Sequence, residues 1–175
     1  MKKIVISAVL ILAVIIGCKT SSKSNDSKKL SLTFEAKSGS SVAGTATFTQ
    51  KDGEVTLVAN FTGLTPGVHA IHIHEKSDCS AADGTSTGGH WNPTFKNHGK
   101  WGVGDYHKGD IGNFTADENG KGSITFTTDE WDIGSGDPTR DILNHGIIVH
   151  KGKDDFTTQP TGDAGGRVAC TGIIK

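Results

Sequence analysis

From Val68 to His74 the chain reads Val-His-Ala-Ile-His-Ile-His, so that His72 and His74 alternate with Ile71 and Ile73. A two-residue period marks an extended strand whose successive side chains leave on opposite faces, here one apolar and one carrying imidazoles. Two imidazoles on one face stand roughly 6–7 Å apart at Cα, within reach of a single metal ion. Borderline-metal ligands then recur at His90, His98, His107, Asp110 and His150. A lone strand histidine is more often a hydrogen-bonded structural residue than a ligand. The arrangement shifts that balance: a strand-borne His-x-His precedes a glycine-rich loop that carries three further histidines and ends at Asp110. The chain therefore reads as a scaffold for a two-metal site.

The same period recurs elsewhere. Leu30, Leu32, Phe34 and Ala36 alternate with polar residues, as do Val42, Gly44, Ala46 and Phe48, and then Val55, Leu57 and Ala59, with Asp52-Gly53 as a hairpin turn between the second and third runs. The His-x-His strand is entered through Thr65-Pro66-Gly67. Residues 75–109 form an irregular loop of a length that compact domains keep for function, and metal ligands with a disulfide would give it order. Ile111 to Ala116 and Ser123 to Thr128 read as a hairpin across Asn119-Gly120. A second loop, 129–144, leads to the apolar run Gly146 to His150, and a third, 151–167, precedes the last strand, Val168 to Ile173. Eight short strands without a convincing helix predict an all-β fold, an antiparallel Greek-key sandwich or flattened barrel. The 24 glycines suit so many turns and long loops.

Residues 1–17 are expected to be a signal peptide. Lys2 and Lys3 precede an apolar run from Ile4 to Ile16 that is too short, and too abruptly polar afterwards, to span a membrane. Ile15-Ile16-Gly17-Cys18 resembles a bacterial lipobox, in which a small residue precedes a cysteine that becomes lipid-modified; an ordinary secretory signal with a spare thiol is the alternative. On the first reading Cys18 anchors the chain to a membrane. Lys19 to Lys29 contain no apolar residue, so 18–29 should be a flexible tether ahead of a folded domain at 30–175. With Cys18 acylated, Cys79 and Cys170 remain, and an oxidising compartment favours a disulfide between them. Loss of residues 1–17 removes two of the 18 basic side chains and none of the 19 acidic ones, leaving a net charge of −3. No basic stripe exists to neutralise phosphates, which argues against nucleic acid as a partner.

Taken together, Gly67 to Glu75, Gly89-His90-Trp91-Asn92-Pro93, His107-Lys108-Gly109-Asp110-Ile111-Gly112-Asn113 and Gly162-Asp163-Ala164-Gly165-Gly166-Arg167-Val168-Ala169-Cys170 resemble the copper/zinc superoxide dismutase family. The likeness is to the bacterial exported lipoprotein form and covers about residues 30–175. The resemblance implies that His72, His74, His90 and His150 bind copper, that His90, His98, His107 and Asp110 bind zinc, and that His90 bridges the two. Copper cycling between two oxidation states suits an imidazole set, while three nitrogens and a carboxylate suit redox-silent zinc. The activity implied is dismutation of superoxide to dioxygen and hydrogen peroxide, protecting a bacterial cell envelope, periplasm or outer membrane. His90 would carry a proton, and Arg167 would hold the anionic substrate beside copper.

By the same resemblance Asp154 links copper and zinc ligands through hydrogen bonds, with Asp155 as the close competitor. His69 has a structural role and His145 no ligand role. Phe156 to Thr161 are shorter and less charged than the family's eukaryotic guiding loop, for which Lys151 and Lys153 would substitute in part. Oligomeric state does not carry over, and a homodimer stays open. Two other readings compete: a metal-storing lipoprotein, which needs neither a shared His90 nor Arg167, and an adhesive sandwich with incidental histidines.

Overall fold

The computed structural model describes residues 27–175. The expected signal peptide, the lipidation site Cys18 and the tether as far as residue 26 lie outside the described residues. Eight strands follow in order: β1 (Lys28–Ala36), β2 (Ala43–Lys51), β3 (Glu54–Thr62), β4 (Gly67–His74), β5 (Gly112–Ala116), β6 (Gly122–Thr128), β7 (Gly146–His150) and β8 (Arg167–Gly172). One short 3₁₀ turn spans Thr85–Thr87. The strands close into an antiparallel barrel in the order β1-β2-β3-β6-β5-β4-β7-β8. β3 pairs with β6 rather than with its successor, and β4 lies between β5 and β7. Chain-adjacent β3 and β4 are thus separated, as a Greek-key connection requires.

Inward-facing Phe34, Ala46, Phe48, Val55, Leu57, Ala59 and Phe61 fill the barrel interior along β1 to β3, while the alternate positions carry mainly threonine and serine, with Glu35, Val58 and Asn60 among them. β1 begins two residues before the expected domain start. Lys28 and Lys29 pair with Gln50 and Thr49, because β2 runs on to Lys51 and offers them ladder partners, and Lys28 Nζ donates to Ile133 O at 2.6 Å. Charged side chains cost nothing on the solvent side of such an extension.

β4 and β7 depart from simple alternation. Ile71 and Ile73 join the core, yet Ala70, His72 and His74 on the opposite face are buried as well, and every residue of β7 is buried. The long loops cover the imidazole face. Cys79 and Cys170 form a disulfide with Cα atoms 5.9 Å apart, tying the first of these loops to β8 across 91 residues. Closing a loop of that length contributes about 4–5 kcal/mol in the chain-entropy account. The loop's far end is held by aromatic packing: Trp101 lies edge-on to Phe126 and Trp131, and Trp131 Nε1 donates to Lys108 O at 2.9 Å. Glu130 accepts from Tyr106 Oη at 2.6 Å and pairs with Lys108.

Candidate metal centre

β4 supplies His72 and His74 two residues apart on one face, and the register Ile71↔Val149 and His72↔Ile148 brings the end of β7 alongside. Ile148 is the partner of His72, so alternation puts His150 on the same face as His72 and His74. The segment 89–91 runs beside the end of β4: His74 and His90 form an isolated bridge, and Trp91 N donates to Ile73 O at 2.9 Å. Gly109 closes the arrangement, accepting from Ile73 N at 2.9 Å and donating to Trp91 O at 3.0 Å. A Cβ at Gly109 would stand 2.1 Å from Ile73 O, so only glycine allows this approach. Asp110, next in the chain, is thereby set beside His90.

Two groups of ligand-type atoms result, each with its atoms within 4.8 Å of one another: His72, His74, His90 and His150; and His90, His98, His107 and Asp110. His90 belongs to both, and all seven residues are buried. The hydrogen bonds fix which ring nitrogen faces inward. A carbonyl oxygen only accepts, so His74 Nδ1, His150 Nδ1 and His107 Nε2, at 3.0, 3.1 and 3.0 Å from Gly88 O, Gly165 O and Lys96 O, are the protonated nitrogens. His72 Nε2 and His98 Nε2 meet Asp154 Oδ2 and Oδ1 at 2.8 and 2.9 Å. His90 Nδ1 lies 2.8 Å from Asp110 Oδ1.

The inward nitrogens are left over. His74 Nε2 and His150 Nε2 face each other at 3.4 Å with no proton between them, given that their other nitrogens donate outward. His72 Nδ1, His90 Nε2, His98 Nδ1 and His107 Nδ1 are buried without a hydrogen-bond partner among the described residues. Buried polar atoms are rarely left so. Converging lone pairs and a carboxylate are what a cation satisfies, and the donor sets fit copper and zinc respectively.

The protonation equilibria of the groups differ. Burial, followed by the neighbouring His72, drives the pKa of His90 down to about 3 against the Asp110 hydrogen bond. Burial and neighbouring histidines likewise push His74 and His150 well below the ordinary imidazole value. At His98 burial is outweighed by the two carboxylates beside the ring, Asp110 3.0 Å from Nδ1 and Asp154 2.9 Å from Nε2, which lift its pKa to about 9. Burial opposes ionisation of Asp110, but the His107, His90 and His98 rings gathered round it, with the His107 backbone N–H, hold its carboxyl far below the usual range. His107 N and Gly99 N also donate to its Oδ2, at 2.8 and 3.1 Å.

Asp154, rather than Asp155, stands between the groups. Asp155 faces solvent and accepts from Thr157 and Thr158 instead. Arg167, half-buried beside His150 in the β7–β8 register, donates from Nη1 to Gly84 O at 2.8 Å and Thr87 Oγ1 at 2.7 Å, and from Nη2 to Gly88 O at 2.8 Å. Gly88 O also accepts from His74 Nδ1, so the guanidinium and the His74 ring share one acceptor. His69 points to the core face of β4, its ring nitrogens 2.8 Å from His150 O and Thr65 O. His145 stacks on Trp91 at 4.6 Å and joins neither group.

Sequence reasoning missed two amides. Asn113 grips the backbone of Asp154 at both ends, Nδ2 to Asp154 O and Asp154 N to Oδ1, each at 2.8 Å. An asparagine inside a strand is uncommon and was the available signal. Gln159 holds His98 in the same manner, at 2.8 and 2.9 Å, with nothing in its neighbourhood to announce it.

The model of the copper/zinc superoxide dismutase family matches residues 42–174. Among solved structures the chain is similar to the clock protein EA4, at 35% identity over 83% of this chain and 94% of that one, with a TM-score of 0.72.

Proposed function

Since the chain belongs to the copper/zinc superoxide dismutase family, a family of copper- and zinc-binding oxidoreductases, we propose an assignment of roles within it. His72, His74, His90 and His150 hold copper; His90, His98, His107 and Asp110 hold zinc; and His90 serves both. The observation that carries this is the pattern of ring nitrogens: in the five other histidines the outer nitrogen is committed to a hydrogen bond and the inner one joins a group, while His90 turns Nδ1 to the group that holds Asp110 and Nε2 to the other.

The reaction takes two superoxide anions and two protons to dioxygen and hydrogen peroxide. Copper supplies the alternating one-electron chemistry, and zinc is redox-silent. The chain supplies the rest. Arg167 presents a cation beside His150 that attracts the anion and offsets the charge growing on the reduced oxygen. Its three hydrogen bonds to the loop at 84–88 fix that cation in place. His90 Nε2 faces the copper-side group and would take up and deliver a proton, while Nδ1 stays on the zinc side, 2.8 Å from Asp110 Oδ1. Asp154 sets the rings of His72 and His98 at once, so neither group shifts without the other.

The deciding experiment is the optical and paramagnetic spectrum of the copper form with and without zinc. A shared imidazolate makes the copper spectrum change on zinc addition; an unchanged spectrum with both metals bound overturns the bridge. Stopped-flow superoxide decay that stays at the level of buffer with both groups full would overturn the enzymatic reading. Arg167→Ala should lower turnover with copper retained, and copper loss would make it structural. Residues 1–18 support a lipid-anchored enzyme guarding the cell envelope. Cys18→Ser should move the protein from the membrane fraction to the soluble one, and an unmoved distribution counts against the anchor.

A further inference from the structure

Two residues of the loop 151–167 lie against the link between the metal groups. Gln159 meets the backbone of His98 at both of its polar atoms: His98 N donates to Oε1 at 2.8 Å, and Nε2 donates to His98 O at 2.9 Å. The same Nε2 reaches Thr157 O at 3.3 Å, bracing the side chain against its own loop. Three residues on, a Cβ at Gly162 would come within 1.8 Å of Asp154 Oδ1 and 2.6 Å of His98 Nε2. The loop is therefore packed directly on the Asp154–His98 hydrogen bond. His98 belongs to no strand, so its backbone has no ladder partner, and the Gln159 amide gives it the donor and the acceptor that a neighbouring strand would provide.

We propose that Gln159 is a positioning residue for the zinc-side ligands, fixing His98 through its backbone while Asp154 fixes it through its ring. The inference rests on the reading of His98 as a zinc ligand. A neutral amide is suited to the task, because it satisfies both backbone groups without adding charge beside Asp110 and Asp154. Q159L removes both hydrogen bonds at similar bulk. Q159E keeps the acceptor for His98 N and turns a carboxylate oxygen toward His98 O.

The test loads the wild type, Q159L and Q159E with copper and zinc and follows release of each metal to a chelator. Hydrogen exchange at the His98 amide and the Tm of the metal-free protein are measured alongside. Zinc release should quicken by about tenfold in Q159L and further in Q159E, the lower end of the roughly 10–100-fold cost of losing a group that orients a ligand. Copper release and the metal-free Tm should hardly move, and the His98 amide should exchange faster in Q159L. Unchanged zinc release in both variants would overturn the proposal, as would equal losses of both metals together with a matching fall in metal-free Tm, the mark of general packing. If the wild type itself retained no zinc, the zinc reading would fall and this inference with it; zinc held equally by all three proteins removes the inference alone.

Discussion

The copper-side and zinc-side groups differ in where their side chains come from and in what a proton does to them. On the copper side, His72, His74 and His150 stand on β4 and β7, and His90 bridges to the end of β4. Packed strands fix these positions, and burial with mutual repulsion keeps His74, His90 and His150 neutral. On the zinc side, His98, His107 and Asp110 come from a loop without regular structure, and a carboxylate holds the proton of His98. One group is preset by the barrel, and its neutral rings each already offer a lone pair, with His90 giving up its last proton only when both metals share it; the other is assembled by hydrogen bonds and must lose the proton of His98 before it binds.

The contrast breaks most completely at the residue that belongs to both groups. His90→Ala should lower affinity for both metals by more than the roughly 100-fold upper cost of losing a ligand's hydrogen-bond partner, read by competition with chelators. Unchanged occupancy of either metal would show that the two sides are independent. Asp110→Ala comes next: it removes a zinc-side oxygen and the partner of His90 Nδ1, so zinc should weaken by about 10–100-fold or more while copper stays bound. Equal loss of both metals would erase the distinction drawn here.

The smallest effect is in pH. Zinc uptake must displace a proton from His98 below pH about 9, so its affinity should climb by up to about tenfold per pH unit from neutrality and level off near that value. Copper affinity should show no such climb from His74, His90 and His150. Calorimetry on the metal-free protein, with each metal added alone in buffers of differing ionisation heat, would count the protons released, and equal counts for the two metals would contradict the assignment. The linked stability has a definite sign. His98 has a raised folded pKa, so in the metal-free protein its contribution is complete below the ordinary imidazole value and disappears as pH rises through about 9.

How much of this the residues announce depends on whether a feature is periodic. The strands follow from alternation, and the core of β1 to β3 follows with them, because a period of two admits one geometry. The pairing of β3 with β6 does not follow, since neighbouring alternating runs do not state which edges meet. The His-x-His run correctly separates His72 and His74 from Ile71 and Ile73, but it reads as half-exposed when both faces are buried, because cover arrives from loops distant in the chain. Resemblance to a family, not spacing, singled out Asp154. Asn113 and Gln159 escape both routes: an amide that grips a backbone leaves no mark on the spacing of side chains.

The barrel's closing seam is short. β1 and β8 meet in only two register pairs, Glu35↔Cys170 and Ala36↔Ala169, against seven between β1 and β2. Cys170 lies in that seam, and its bond to Cys79 pins the first long loop to β8 beside one of the two shortest backbone junctions of the cylinder, the other being β5–β6 with the single pair Ala116↔Gly122. Arg167 opens the same strand, and the partner cysteine sits in the stretch leading to the carbonyls that hold its guanidinium. A thiol-rich environment would thus loosen the loop from β8 and the aim of the Arg167 guanidinium in one stroke.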